Sequence, residues 1–186
     1  MDSSLVALVA HLERISPMPD DDSPELTPDR LREYEEVIRQ IEQAVTQSNE
    51  WDPALLAPLL ASFGYGDAFG LYWATLHLLE DFPPDVLRPA LRQALMSGQP
   101  GTRRWATYML GVQRDRRDVP VVVKALQDEA DEVRYYALMA LRMIGDPSAL
   151  PAMESLLQDP MASVRKAAQK YVEELRALNS LEATAE

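Results

Sequence analysis

Apolar residues recur along this chain at helical rather than strand spacing. Leu31, Tyr34, Val37, Ile38, Ile41 and Val45 line one face of a helix, while Arg32, Glu35, Glu36, Arg39 and Glu42 occupy the opposite one. Thr27-Pro28 opens that helix, because a proline in the first turn removes a backbone donor that has no partner there. Leu5, Val6, Leu8, Val9, Leu12 and Ile15 predict a shorter apolar helix ahead of it. Between the two, residues 16–28 read as a linker: proline removes backbone donors and the adjacent aspartates repel one another. The run Asp20–Asp22 reads as a solvated loop, since no glycine turn or spaced glutamate completes a calcium loop. From residue 51 onward, breakers at Gly64 to Gly70, Asp81 to Pro84, Gly98 to Gly101, Arg114 to Asp118, Gly145 to Pro147 and Asp159-Pro160 cut the text into short helices. Those helices, of roughly 10–15 residues, suit a stack of helical hairpins.

A shift of 31 residues superposes the chain on itself. Pro89, Pro120 and Pro151 coincide, as do Leu95, Leu126 and Leu157, then Arg103, Arg134 and Arg165, then Ala106, Ala137 and Ala168, then Leu110, Leu141 and Val172. Residues 85–111, 118–145 and 148–178 are thus three copies of one helix–turn–helix unit, and Trp73-Ala74-Thr75 marks a more worn copy before them. Pro58 also falls on the period, but at a point that reads as the interior of its helix. The prolines suit first turns, Asp118 and Ser148 suit N-caps, the alanines mark close helix approach, and the leucines fill the layers between hairpins. One hairpin cannot bury its apolar face alone, so stacking makes the core continuous.

The stretch Asp131-Glu132-Val133-Arg134-Tyr135-Tyr136-Ala137-Leu138-Met139-Ala140-Leu141-Arg142-Met143-Ile144-Gly145-Asp146-Pro147 resembles the HEAT repeat, especially the short class named after phycobilisome lyases. Ser163-Val164-Arg165-Lys166-Ala167-Ala168 repeats the core of that pattern. The resemblance is clear over residues 85–178 and weaker back to residue 51. It implies an all-α fold, a right-handed α-solenoid of stacked hairpins with an N-terminal helical cap. The expected organisation is a helical segment at 1–50 including the linker at 16–28, an array of about four repeats at 51–178, and a flexible tail at 179–186. The resemblance also implies a ladder between neighbouring repeats, with Arg103, Arg134 and Arg165 pairing with Asp128 and Asp159.

Charge changes the picture only in part. Residues 1–99 carry a net −11 and residues 100–186 a net −1, which together give the chain its −12. That balance argues against general nucleic-acid binding, which needs cationic surface. The chain has no cysteine, which excludes a disulfide scaffold and a thiolate metal site built from it, and only two histidines. No phosphate loop, serine elbow or metalloprotease helix occurs, and no apolar run reaches the ~20 residues of a membrane span. The start of the chain lacks a basic leader, so a cytoplasmic location is expected. His77, Glu80 and Asp81 could share a helical face, but one imidazole and two carboxylates make a sparse metal site, and neither metal nor cofactor is expected.

Residues left over by the ladder and the packing layers form a second column. Trp73, His77, Arg104, Tyr108, Tyr135, Met139, Arg142, Lys166 and Lys170 are expected on a concave, partner-binding wall, and aromatic, methionine and arginine side chains are enriched at interface centres. Some of the aromatics, Trp73 and Trp105 among them, could equally thicken the core. The leading expectation is a non-catalytic scaffold that binds another protein, as a monomer or weak dimer. The segment Leu71 to Leu79 is similar in style to small bacterial HEAT proteins encoded beside toxins, which implies an immunity-type inhibitor. A bilin lyase or its chaperone subunit, and a HEAT-like DNA-repair protein, are the alternatives.

Overall fold

The computed structural model describes residues 3–49, 51–66 and 68–183, without the side chains of residues 179 and 181–183. Among these residues the chain forms ten α-helices and no strand. They are α1 (Ser3–Ile15), α2 (Pro28–Ser48), α3 (Leu56–Ala61), α4 (Tyr72–Glu80), α5 (Pro84–Ala94), α6 (Pro100–Val112), α7 (Val119–Ala125), α8 (Asp131–Ile144), α9 (Leu150–Glu154) and α10 (Ala162–Ala183). The pairs α5/α6, α7/α8 and α9/α10 are the three copies of the repeat, and α3/α4 is the worn one. The chain divides into two compact units, residues 1–102 and 103–186. The division falls inside the repeat array rather than at residue 50.

In the first unit, α2 buries the face its spacing marks: Tyr34, Val37, Ile38, Ile41 and Val45. Thr27 Oγ1 accepts the Arg30 N–H at 3.3 Å and caps the helix. Tyr34 carries its hydroxyl into the core and must find partners there. It meets Ser62 Oγ at 2.9 Å and Thr75 Oγ1 at 2.7 Å. Tyr72 packs edge-on against both Tyr34 and Phe63, with ring centroids 5.7 and 5.1 Å apart. The Gly64 N–H donates to the Tyr72 hydroxyl at 2.6 Å.

Residues 16–28 do not behave as a spacer between helices. Met18 is fully buried and its N–H donates to the Ser62 carbonyl at 3.2 Å. Arg30 Nη2 donates to the Ile15 carbonyl at 3.1 Å. Asp21 accepts the Ala68 N–H at 2.9 Å, so one of the three adjacent aspartates is a structural acceptor. One buried apolar side chain, one backbone–backbone bond and one carboxylate acceptor outweigh the local chain statistics of proline and aspartate.

In the second unit the alanines and the aliphatic layer sit where the period places them. Ala106, Ala137, Ala168, Leu110, Leu141 and Val172 are all buried. Gly111 is there because α6 and α8 touch: a Cβ on it would lie 2.6 Å from the Ala140 Cα. Gly145 ends α8 in the left-handed region at φ 74°, which closes the helix without a side-chain penalty.

Four details differ from the sequence reading. Asp146 rather than Ser148 is the cap before α9, accepting the Ser148 N–H at 2.9 Å. Asp115 plays the same part before α7 by accepting the Arg117 N–H, and Asp118 is a buried carboxylate one turn on. A short 3-10 turn precedes each of these helices, which moves the cap upstream by a turn. Pro89 lies inside α5, whereas Pro58 lies in the first turn of α3 and belongs to the period after all. At the end of α9 the buried leucine is Leu156, while Leu157 is exposed. Finally, the segment expected as a tail continues α10 as far as Ala183, and residues 184–186 lie outside the described residues.

Candidate functional site

The ladder positions lie within the second unit. Arg103 is buried and forks onto Asp128, with Nε to Oδ2 at 2.8 Å and Nη2 to Oδ1 at 2.7 Å. Arg134 repeats the arrangement on Asp159 at 2.7 and 2.9 Å. Its Nη1 also donates to the carbonyls of Asp128 and Glu129, at 2.9 and 3.1 Å, so one guanidinium ties two successive turns together. Arg165 donates to the Asp159 and Pro160 carbonyls at 2.5 and 2.9 Å. The fork from Arg134, with the Met161 N–H behind it, holds the Asp159 carboxyl below the usual carboxylate range in spite of burial.

The nine residues expected on a partner-binding wall fall in both units. Trp73 and His77 belong to the first and are exposed on α4. Arg104, Tyr108, Tyr135, Met139, Arg142, Lys166 and Lys170 belong to the second. Arg104 is not a surface cation: it is 5% exposed. Its guanidinium lies 4.7 Å from both the Trp105 and Tyr136 ring centroids, and Nη1 meets Glu132 Oε2 at 2.6 Å. Trp105 is buried, and Tyr108 stands edge-on to it at 5.9 Å. Tyr108, Tyr135, Met139 and Arg142 are half-buried, with Arg142 paired to Glu174 at 2.7 Å. Lys166 and Lys170 are exposed, and Lys170 sits 5.5 Å from the Tyr171 ring.

What the structure does gather is a cavity of about 280 Å³ lined by Arg104, Asp131, Glu132, Tyr135, Tyr136 and Ser163. Asp131 and Glu132 come from the first turn of α8, where carboxylates offset the positive end of the helix. Tyr135 and Tyr136 follow one turn later, with ring centroids 5.7 Å apart. Arg104 is neutralised by Glu132 and also donates to the Tyr136 hydroxyl at 3.2 Å. One guanidinium and two carboxylates leave the lining with a net charge of −1. Beyond Tyr135 stands Tyr171, whose hydroxyl is pushed up to about 12 by burial and by the Tyr135 hydroxyl beside it. An acidic, aromatic hollow of this kind suits an aliphatic amine: carboxylates meet the ammonium and ring faces meet the methylenes and the charge.

Asp131, Glu132, Tyr136 and Ser163 were missing from the sequence expectation. A signal for two of them existed. Adding the 31-residue period to Arg104 lands on Tyr135, and the neighbours of that position on the helix, one turn back and one residue on, are Glu132 and Tyr136. Among the described residues no group of three or more His, Cys, Asp or Glu could hold a metal ion. The imidazoles stand apart as pairs, His11 with Glu33 at 2.6 Å and His77 with Glu80 at 3.3 Å. Among the described residues no helix is long and apolar enough to cross a membrane.

Comparison with known proteins bears on the family and the fold. The chain is similar to deoxyhypusine hydroxylases: 39% identical to that of Bos taurus and 40% to that of Rattus norvegicus, each over 70 residues, and 33% over 75 residues to that of Drosophila melanogaster. Those matches cover 37–39% of this chain and 23–25% of the relatives, so the chain spans about a quarter of their length. The solved structure of human deoxyhypusine hydroxylase in complex with glycerol superposes with a TM-score of 0.56 at 19% identity, over 93% of this chain and 62% of that one. This likeness shows the all-α repeat fold. The relatives are enzymes, which overturns the expectations of a non-catalytic scaffold and of an immunity-type inhibitor. The alternatives of a bilin lyase and a DNA-repair protein belong to the same overturned reading, since the named relatives are deoxyhypusine hydroxylases. A model of HEAT repeats matches residues 74–178, more than half of the sequence, and the chain belongs to the HEAT-repeat family.

Proposed function

We propose that this chain works in an enzyme of the class its relatives represent, hydroxylases of an amine-bearing side chain, and that its own part is to bind and orient that side chain in the cavity of α8. The observation that carries this reading is the lining itself: Asp131, Glu132, Tyr135 and Tyr136 around a space of about 280 Å³ with a net negative charge. Deoxyhypusine, the side chain named for the relatives, is a lysine derivative carrying amine nitrogens, so its chemistry complements that lining. In this reading Asp131 takes the ammonium, the Tyr135 ring covers the methylenes, and Glu132 keeps the Arg104 charge from repelling the guest. Hydroxylation also needs a redox centre. The described residues offer no metal-holding group of three or more donors, so no oxygen-transfer step is routed through them. The partner is then another protein, the one bearing the amine, and the cytoplasmic location expected from the sequence belongs to the same reading.

The test is a binding isotherm of a deoxyhypusine-bearing peptide on the chain, beside the same peptide with acetylated lysine in place of deoxyhypusine. Saturable binding that needs the free amine supports the reading, and D131N should weaken it by about tenfold, the scale of a charge-assisted hydrogen bond. Absence of binding, or equal binding of the acetylated peptide, removes it.

A further inference from the structure

The solvent face of α4 breaks the rule that the outside of a helix is polar. Trp73 is 50% exposed and Phe69, in the turn leading into the helix, is 70% exposed. Trp73, His77 and Glu80 follow one another at helical spacing along that face, Phe69 is exposed in the non-helical turn ahead of it, and Ala74 and Asp81 are exposed too. Trp73 and His77 stack loosely at 6.4 Å, and His77 Nδ1 meets Glu80 Oε2 at 3.3 Å. The stripe therefore runs from two aromatic rings through an imidazole to carboxylates.

The turn that presents Phe69 is strained. Ala68 and Phe69 both lie in the left-handed region, at φ 49° and 54°, and Gly70 follows at 88°. Left-handed backbone favours glycine or asparagine, yet the sequence places alanine and phenylalanine there. The conformation is held from outside: Asp21 accepts the Ala68 N–H at 2.9 Å, and Gly66 packs so closely on the Asp21 carboxylate that a Cβ would overlap it. Strain of this sort persists only where the surroundings enforce it, and here it sets a large apolar ring in water.

We infer that this stripe is a docking surface for a lysine- or arginine-rich segment of a partner protein. Charge complementarity selects that occupant. Residues 1–99 carry a net −11, whereas a second copy of this chain would bring the same negative charge to the contact. Cations stack on Trp73 and Phe69, while Glu80 and Asp81 at the far end meet the next basic residue. This surface belongs to the first unit and the cavity-lining residues belong to the second, and the inference stands whether or not the amine-binding reading of that cavity holds.

The probe is a synthetic glycine–lysine peptide with no aromatic residue, titrated into the full chain at low salt and followed by tryptophan fluorescence and by backbone amide NMR. The amides of residues 69–80 should move, and F69A/W73A should weaken binding by about tenfold or more. W73F, which keeps a ring, should retain most of the affinity, and E80Q/D81N should lose about threefold, an effect that vanishes at high salt. These side chains are exposed, so thermal melts of the variants should match the parent. Because the peptide's lysines are themselves aliphatic amines, the titration is repeated in the cavity variant D131N: the shifts at residues 69–80 and their loss in F69A/W73A should persist there, which separates a failure here from a failure of the proposed function. Wild-type affinity in F69A/W73A, absence of peptide binding, or shifts confined to residues 103–178 would overturn the inference. So would a dimer of the parent chain that F69A/W73A dissolves, since the occupant would then be a second copy.

Discussion

The two units of this chain solve the same packing problem with different chemistry. Residues 103–186 bury charge: Arg103 on Asp128 and Arg134 on Asp159 repeat one forked contact at one sequence interval. Residues 1–102 bury hydroxyls and rings instead, with Tyr34 joined to Ser62 and Thr75 and wedged against Tyr72. A repeated ion pair is strong only when complete, because removing one partner strands a charge in the interior. A hydroxyl cluster loses less per deletion, since each neutral group costs less to desolvate. The difference also bears on function. The ladder fixes the turns that carry Asp131 and Glu132, while the first unit holds a strained turn and an exposed aromatic stripe.

That comparison can be broken most sharply at Arg134. R134A should cost about 3 kcal/mol or more, because Asp159 is 5% exposed and keeps its charge. Hydrogen exchange should show the loss across residues 119–178 and leave residues 28–80 close to the parent. Equal loss in both units would mean that the ladder is not local to the second.

Y34F comes next, at about 1–2 kcal/mol, since Ser62 and Thr75 lose a shared partner in a sealed site. Here exchange should quicken in the first unit alone. Alkaline titration sharpens the same point. Burial pushes the Tyr34 hydroxyl up to about 12, with the Ser62 and Thr75 contacts opposing it. The unfolded phenol ionises near 10, so the unfolded state releases its proton first, and stability falls as pH rises from about 10 to about 12. Y34F should flatten that part of the slope.

Acid acts on the other unit. Asp159 is held below its unfolded value near 3.9 chiefly by Arg134, so its contribution is present above that pH and is lost as pH falls through the depressed value. R134A should remove this acid dependence, as read from denaturation midpoints across pH. The smallest effect distinguishes the caps: D146A should cost about 1 kcal/mol in urea titration, and S148A less, because it removes only the Ser148 side-chain contact and keeps the backbone one to Asp146.

Much of the fold was legible because a repeat prints its physics several times. Three copies agree on where an alanine must be small and where an arginine recurs, so chance matches fall away. The N-terminal segment has no second copy, and there the local signals misled: Pro17, Pro19 and the aspartates read as a linker, while Met18 and Asp21 tie it to the first unit. The candidate site was legible only as a column of residue types. Arg104 reads as a surface cation until its partners one repeat along, Glu132 and Tyr136, are placed beside it. Contacts between repeats obey the period plus a helical offset, and sequence spacing alone does not supply the offset.

The amine-binding role of the α8 cavity is tested most directly by titrating the deoxyhypusine-bearing peptide into the chain while observing amide and tyrosine signals. The account predicts saturable shifts at Asp131, Tyr135, Tyr136 and Ser163, an affinity about tenfold weaker in D131N, and no change in F69A/W73A. Shifts that bypass these residues, or D131N binding as tightly as the parent, would contradict it.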